Sequence, residues 1–202
     1  MKIATNLTLL LILTLVIAIG SAASQEAEPL MMPGTEQPVS HTSTDSGSCI
    51  IFEKYVIRTG VSDEGGEDLT VYLKGSERGC SITRKPILHV PNEDNTALFG
   101  LAGKWLFVDS GTSVESRALE IYDLETGKPA IGIEYSDEPK LEGGRYVTYD
   151  APSEKPGPIR SCKEAAKWKR EGGGVGWVQT KRLDLETLKQ TTVGTLRCIY
   201  MQ

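Results

Sequence analysis

Four widely spaced cysteines constrain the fold of this chain more than any other feature of its sequence. They are Cys49, Cys80, Cys162 and Cys198, and no two of them form a Cys-x-x-Cys pair. The chain has only two histidines, so the spacing does not indicate a zinc site, and we predict no metal site. An even number of cysteines behind an apolar leader instead indicates two disulfide bonds.

Four cysteines allow three pairings, and the sequence alone does not choose among them. We favour Cys49 with Cys80 and Cys162 with Cys198, because these pairings close short loops and so restrict the chain least during folding. Each bridge should stabilise the fold by about 3 to 4 kcal/mol, by limiting the conformations of the unfolded chain.

Residues 1–23 have the layout of a secretory signal peptide. Lys2 precedes the apolar run Leu7–Ile19, and small residues follow at positions 20–24. We expect cleavage after Ala23 rather than retention of the run as a membrane anchor, although about 20 apolar residues suffice to cross a bilayer. The sequence therefore predicts a secreted or periplasmic protein with no stable membrane insertion after cleavage.

Residues 24–48 contain few apolar side chains among many Ser, Thr, Glu, Gln, Pro and Gly residues. Such a segment does not bury enough surface to offset the entropy lost on ordering, so we predict a disordered leader there. Residues 49–202 are then expected to form a single β-rich domain, of a size that supports one hydrophobic core.

Short apolar runs separated by turn residues recur throughout residues 49–202. Leu69, Val71 and Leu73, for example, alternate with residues that would lie on the opposite face of a strand. Segment 152–158 supplies the proline, glycine and acidic residues typical of turns. The pattern predicts a mainly β protein, arranged as an antiparallel sandwich or a partly open barrel.

One short helix is predicted at about residues 162–171. Ser161 and Glu164 have the spacing of a capping box, and Gly172 stands where a helix stop is expected. A helix of this length is marginal alone in water, so we expect Trp168 to pack on the sheet and the bridge at Cys162 to hold the helix in place.

A four-residue motif, Asp-Leu-Glu-Thr, occurs at 123–126 and again at 184–187. Each copy lies between two strand-like runs, where its Asp can accept hydrogen bonds from the turn backbone. Residues 119–128, around the first copy, resemble the hairpin of a β-propeller blade. The copies are 61 residues apart, beyond the usual blade period of about 40 to 50 residues, and no third copy is visible, so a complete propeller is not expected.

An apolar strand leads into Asp-Ser-Gly-Thr at 109–112, which resembles the active-site signature of pepsin-like and retroviral aspartic proteases. That chemistry requires two carboxylates about 3 Å apart that share a proton. Because this sequence contains one such motif, the resemblance implies a symmetric homodimer in which each subunit contributes Asp109. Ala-Ile-Gly at 130–132 is the nearest match to the family's supporting strand. The alternative is a turn in which Asp109 caps its own backbone.

Three further motifs predict neither a catalytic centre nor a cofactor. The glycine-rich run at 172–176 follows a helix and precedes a strand, the reverse of the order in dinucleotide-binding loops. The acidic loop at 63–68 lacks the ligand order of an EF-hand and is expected to be a hydrated turn. His89 lies within a strand-like run, and no nucleophile elbow accompanies it.

Charge is unevenly distributed along the chain. Residues 155–182 carry eight basic and two acidic side chains, whereas residues 109–154 carry eleven acidic and four basic ones. Segregated charge can steer a partner of opposite sign, unless neighbouring strands cancel it in the fold. The formal net charge of -5 argues against nucleic-acid binding.

We therefore predict a non-enzymatic binding domain that recognises a protein or an anionic envelope ligand through its loops. The expected contact patch combines basic and tryptophan side chains, namely Lys163, Lys167, Trp168, Lys169, Arg170 and Trp177. Two alternatives stay open: the homodimeric protease built on Asp109, and a structural envelope component for which neither Asp109 nor the patch matters.

Overall fold

A computed structural model describes residues 31–61, 65–76, 79–113 and 116–201. Within these ranges the chain forms three antiparallel sheets. Sheet I contains β1 (Ser40–Thr44), β2 (Gly47–Ile51), β3 (Tyr55–Val61), β4 (Glu67–Leu73) and β5 (Leu88–Val90). Sheet II contains β6 (Ala97–Ala102), β7 (Trp105–Ser110), β8 (Arg117–Asp123) and β9 (Lys128–Tyr135). Sheet III contains β10 (Asp137–Glu142), β11 (Tyr146–Pro152), β12 (Gly174–Asp184) and β13 (Lys189–Met201).

The prediction of a mainly β, antiparallel fold with one short helix and two disulfides is confirmed. Each sheet is built on a meander of four consecutive strands, and β1 adds a fifth strand to sheet I. The bridges join Cys49 to Cys80 and Cys162 to Cys198, as favoured on loop length. The sheets do not close into a barrel. The predicted signal peptide, residues 1–23, lies outside the described residues.

Sheet II lies between the other two sheets and buries both of its faces. One core cluster joins sheets I and II and contains Ile57 and Val71 from sheet I and Leu106 and Val108 from sheet II, among others. The second joins sheets II and III and includes Phe107, Leu119 and Ile121 with Val147, Tyr149 and Leu183. Because side chains alternate along a strand, β7 can serve both clusters.

The described part of the predicted disordered leader at 24–48 contains β1, the start of β2 and a hydrogen-bonded segment before them. Met32 is 1% exposed within the core between sheets II and III. Backbone hydrogen bonds then tie residues 32–39 to the first strand of every meander, β2, β6 and β10, through Ile51, Phe99, Leu101 and Leu141. Composition missed this segment because its stability comes from those bonds and from one buried methionine rather than from many apolar side chains.

Each meander contains the same backbone hydrogen bond, which joins the residue after its third strand to the residue before its second strand. The amide of Leu124 donates to the carbonyl oxygen of Lys104 over 2.9 Å, and Leu185 donates to Arg145 in the same way over 3.0 Å. In sheet I the equivalent bond runs from Lys74 to Lys54 over 2.8 Å. The backbone position of the motif therefore recurs in sheet I, where Leu-Lys-Gly-Ser at 73–76 stands in place of Asp-Leu-Glu-Thr.

The spacing of the two Asp-Leu-Glu-Thr motifs also has a structural explanation. Lys104 and Arg145, which occupy the same position in sheets II and III, are 41 residues apart. The connection between β11 and β12 spans residues 153–173, whereas the matching connection in sheet II spans residues 111–116. This connection is 15 residues longer than its counterpart, and β11 and β12 together are five residues longer than β7 and β8. These differences account for the 20 residues by which the motif offset of 61 exceeds the 41-residue spacing of Lys104 and Arg145.

The outer face of sheet III differs from the equivalent face of sheet II. Aligning Lys104 with Arg145 and Asp123 with Asp184 places three polar residues, Thr148, Thr180 and Arg182, where sheet II has the buried apolar residues Phe107, Leu119 and Ile121. Thr180 donates to Asp150 over 2.7 Å, and Arg182 pairs with Glu142 over 3.0 Å. Polar outer faces of this kind are usual at the ends of repeated arrays.

The helix is shorter than predicted and starts differently. It spans Ala165–Arg170 and follows a 3-10 turn at Ile159–Ser161. Ser161 does not form the predicted capping box, because its hydroxyl donates to the carbonyl oxygen of Pro158 over 2.7 Å. Cys162 then has an extended backbone, with φ of -94° and ψ of 95°. The disulfide residue therefore lies before the helix rather than inside it.

Gly34 offers a test of the ordered N-terminal segment. Its φ is +89°, and a Cβ there would lie 2.0 Å from the carbonyl oxygen of Leu141. Gly34→Ala should therefore lower the free energy of unfolding by about 3 kcal/mol, measured in urea, through backbone strain and loss of close packing.

Gly143→Ala is the matched control for Gly34→Ala. Gly143 also has a positive φ, +59°, but a Cβ there would meet nothing within 4 Å. This substitution should lower the free energy of unfolding by only about 1 kcal/mol. Equal losses for the two variants would show that residues 32–36 do not pack against β10 in solution.

Candidate functional site

The structure brings the predicted basic residues together on one connection. Lys163, Lys167, Lys169 and Arg170 are all exposed and lie within residues 153–173, between β11 and β12. The bridge from Cys162 to Cys198 fastens this connection to the last strand, and the helix packs on β12. Arg160, also exposed, lies just before them in the 3-10 turn. We name these five residues the basic patch.

The two predicted tryptophans support this connection. Trp168 is half-buried and its ring meets that of Tyr200 edge-on, with the centroids 6.1 Å apart. Trp177 is half-buried in β12, opposite Cys198. A Cβ on Gly157 would lie 2.5 Å from the Trp177 ring, so the connection passes directly over it. Both rings therefore anchor the connection, and the basic side chains form its exposed surface.

The charge of the basic patch is not neutralised by ion pairs in the part of the chain that the structure describes. The described ion pairs of sheet III involve Arg145, Arg182 and Arg197, and none involves a patch residue. Only Glu164 and Glu171 add negative charge within residues 159–171. The basic segment therefore keeps an excess of positive charge at the surface after folding.

Asp109 has a role that neither sequence-based interpretation predicted. The Arg117 side chain donates from Nε to both carboxylate oxygens, over 2.9 and 2.7 Å, and Tyr135 donates its hydroxyl to Oδ1 over 2.6 Å. Asp109 is 8% exposed at the rim of the core between sheets II and III. Burial and the bond to Asp109 raise the pKa of Tyr135 above its ordinary value.

These contacts correct the turn interpretation of Asp109. No described hydrogen bond joins its carboxylate to a nearby backbone amide, and the amide of Gly111 donates instead to the carbonyl oxygen of Asp94. The protease interpretation requires a carboxylate facing a second carboxylate, whereas the partners of Asp109 in the described chain are a guanidinium and a phenol. The residue thus links β7, β8 and the end of β9.

The repeated Asp-Leu-Glu-Thr motif binds a basic side chain in both sheets. Lys104 pairs with Asp123 and Glu125 over 2.9 and 3.2 Å. Arg145 pairs with Asp184 and Glu186 over 2.6 and 2.8 Å. Each cation also lies near the aromatic ring that follows it, Lys104 at 4.8 Å from Trp105 and Arg145 at 5.0 Å from Tyr146.

These ion pairs change the ionisation of the groups involved. Hydrogen bonds from Arg145 lower the pKa of Asp184 to about 2, although desolvation acts in the opposite direction. The same pair raises the pKa of Arg145, and hydrogen bonds to Asp123 and Glu125 raise the pKa of Lys104. The charged forms of both clusters are therefore favoured at neutral pH.

A cleft of about 400 Å³ lies between these two ion-pair clusters. The residues that line it come from the segment before β1 and from turns of sheets II and III, including Glu36, Ala102, Lys104, Trp105, Leu141, Arg145, Leu185 and Glu186. Sequence reasoning found the repeated motif but missed the cleft. Its lining comes from segments that are far apart in the sequence, and no local pattern shows that they meet.

The remaining sequence candidates form no site in the described chain. His89 is exposed, with its Nδ1 atom 3.3 Å from the Thr70 hydroxyl. The glycine-rich run leads into β12. Part of the acidic loop at 63–68, residues 63 and 64, lies outside the described residues. Among described residues no group of three or more His, Cys, Asp or Glu side chains is placed to hold a metal ion.

Comparison with protein-family models, with curated proteins and with solved structures finds no match to this chain. Function is therefore inferred from the geometry above. The two disulfides indicate an oxidising, extracellular type of environment. In the ranges that the structure covers, no helix combines the length and the apolar character needed to cross a membrane.

Arg117→Met should destabilise the protein by about 2 to 3 kcal/mol, because it leaves the buried Asp109 carboxylate without its cationic partner. Adding Asp109→Asn should recover part of that loss, since no uncompensated charge then stays buried. Urea unfolding of the wild type, both single variants and the double variant measures the coupling. A double variant no more stable than Arg117→Met would contradict this role.

Asp184→Asn should weaken the acid dependence of stability. The pKa of Asp184 is about 2 in the folded protein, below its ordinary 3.8, so the stabilisation by Arg145 is complete above pH 3.8 and is lost toward pH 2. Between these pH values the Tm of the wild type should fall more steeply than that of Asp184→Asn. Asp45→Asn, in an exposed turn, is the control and should follow the wild type. Parallel curves for all three proteins would exclude the linkage.

Proposed function

We propose that this chain is an exported, secreted or periplasmic, non-enzymatic binding domain whose basic patch docks an anionic protein or envelope partner. The observation that supports it most directly is the inserted connection at 153–173. It interrupts a meander that is otherwise built like the one in sheet II, and it carries all five basic patch residues. Insertions into a repeated scaffold commonly carry binding function.

The way the connection is fastened also supports binding. A disulfide, two half-buried tryptophans and a short helix restrict its backbone, while the basic side chains stay exposed. A surface that is ordered before it meets a partner loses less entropy on association. The patch is therefore better suited to recognition than a flexible loop of the same composition.

The positive charge of the patch would orient an anionic partner as it approaches. The whole chain has a formal net charge of -5, whereas residues 159–171 carry five basic and two acidic side chains, so the patch differs in sign from the chain as a whole. Such a field orients the encounter and raises the association rate, and it weakens as salt is added.

The two alternatives receive less support. No feature of the described chain favours the aspartic protease, because Asp109 pairs with Arg117 and Tyr135. A purely structural envelope component does not account for the exposed, unpaired side chains of the basic patch. It also predicts that charge reversal in the patch changes no interaction, so the experiment below distinguishes it.

Charge reversal in the patch should remove binding to an anionic probe. The probe is immobilised poly-L-glutamate, and retention is measured by biolayer interferometry at about 0.15 M ionic strength. The wild type should bind despite its net negative charge. K167E/K169E/R170E should bind at least about tenfold more weakly, because three attractive contacts become repulsive.

A matched control separates the patch from net charge alone. K128E/K140E/K189E changes three exposed lysines on the sheets and alters the net charge by the same amount. This variant should keep the affinity of the wild type within about twofold, since its substitutions lie in other elements. Equal losses for both triple variants, or no binding by the wild type, would refute the proposal.

A further inference from the structure

We propose that the cleft between the ion-pair clusters of sheets II and III is a binding site for a neutral saccharide. This site is separate from the basic patch and does not depend on the function proposed above. It lies where β7 and β11 begin, at Trp105 and Tyr146.

The size and the walls of the cleft suit a small ligand. Its volume of about 400 Å³ falls in the usual range for small-molecule sites, roughly 300 to 1,000 Å³. Ala102, Leu141 and Leu185 contribute buried apolar surface, and Trp105 is half-buried at the wall. Sugar rings present C–H groups on their faces, and these pack well against aromatic and aliphatic side chains.

The charges around the cleft favour a neutral ligand. The lining contains two cations, Lys104 and Arg145, and two carboxylates, Glu36 and Glu186. Both cations are already paired, Lys104 with Asp123 and Glu125, and Arg145 with Asp184 and Glu186. A charged ligand would therefore have to compete with an existing ion pair or meet a like charge.

Hydroxyl groups can bind without breaking those pairs. The ammonium of Lys104 has three N–H donors and contacts two carboxylates. Glu36 uses Oε1 to accept the amide of Gly103 over 2.6 Å, and Glu186 contacts Arg145 through Oε2. Each carboxylate thus keeps an oxygen for a further bond. The indole N–H of Trp105 has no hydrogen-bond partner among the described residues.

These donors and acceptors are held in place before a ligand arrives. The backbone bonds from Leu124 and Leu185 fix the turns that carry Lys104 and Arg145. The amide of Glu36 is bonded to the carbonyl oxygen of Leu101 over 2.7 Å. Fixed polar groups around an apolar floor reduce the entropy lost on binding, which matters for weak, hydroxyl-mediated recognition.

The test follows the indole N–H resonances of the full-length protein by NMR. Its three tryptophans give three signals, and Trp105→Phe identifies the one from the cleft. Glucose, N-acetylglucosamine, maltose, cellobiose and diacetylchitobiose are added to about 10 mM, which detects millimolar dissociation constants. At least one of them should shift the Trp105 signal in a saturable way, while glucuronate and glucosamine should bind at least about fivefold more weakly.

Two matched variants then test the lining. Glu186 and Glu125 are the equivalent glutamates of the two motifs, with side chains 66% and 68% exposed, and only Glu186 lines the cleft. Glu186→Ala should weaken saccharide binding about tenfold through loss of a charged acceptor. Glu125→Ala should change it less than about twofold. Both positions are exposed, so both variants should fold.

Several outcomes would overturn the saccharide site. These are no shift of the Trp105 signal with any neutral sugar, shifts confined to Trp168 and Trp177, or binding of glucuronate or glucosamine as tight as that of the neutral sugars. Equal effects of Glu186→Ala and Glu125→Ala would overturn it as well. The K167E/K169E/R170E variant should bind sugar like the wild type, so failure of the basic patch proposal would be seen separately.

Discussion

The burial of sheet II on both faces is the constraint on which the rest of the structure depends. A strand with two buried faces needs apolar side chains at successive positions, and β7 meets this requirement with Leu106, Phe107 and Val108. Each face must then be covered by another sheet. Sheets I and III supply that cover, and residues 32–39 bind the first strands of the three meanders together.

Sheets I and III each have one face that points away from sheet II, and the two faces differ in what they carry. Sheet III carries Thr148, Thr180 and Arg182 at positions that are apolar in sheet II. In sheet I, Cys49 alternates with the core residue Ile50, so it lies on the outer face, and its bridge holds Cys80, between β4 and β5, near that face. Sheet III thus presents polar side chains on its free face, and sheet I carries a disulfide-tethered connection on its own.

Basic residues in this protein fall into two groups with different surroundings. Lys104, Arg117 and Arg145 are each held by one or more carboxylates and stabilise turns or the core rim. The residues of the basic patch have no such partners in the described structure. A new anion gains little from a cation that is already paired, because it must compete with the carboxylate that is bound there. The cleft therefore suits a neutral ligand, and the patch suits an anionic one.

The sequence by itself determined the strand-rich class, the presence of two disulfides, the place of the helix and the basic side chains of the patch, and loop length favoured the pairing that the structure has. Alternation and local charge depend on residues close together in the sequence, and loop length depends on their spacing. Folding does not change any of these three properties. Tertiary structure alone decided the rest. Met32 is buried because strands distant in the sequence surround its side chain and bond its backbone. Asp109 accepts hydrogen bonds from Arg117 and Tyr135. The cleft exists because turns of sheets II and III meet beside Glu36. Such contacts depend on how sheets pack, and packing joins residues that no local sequence pattern connects.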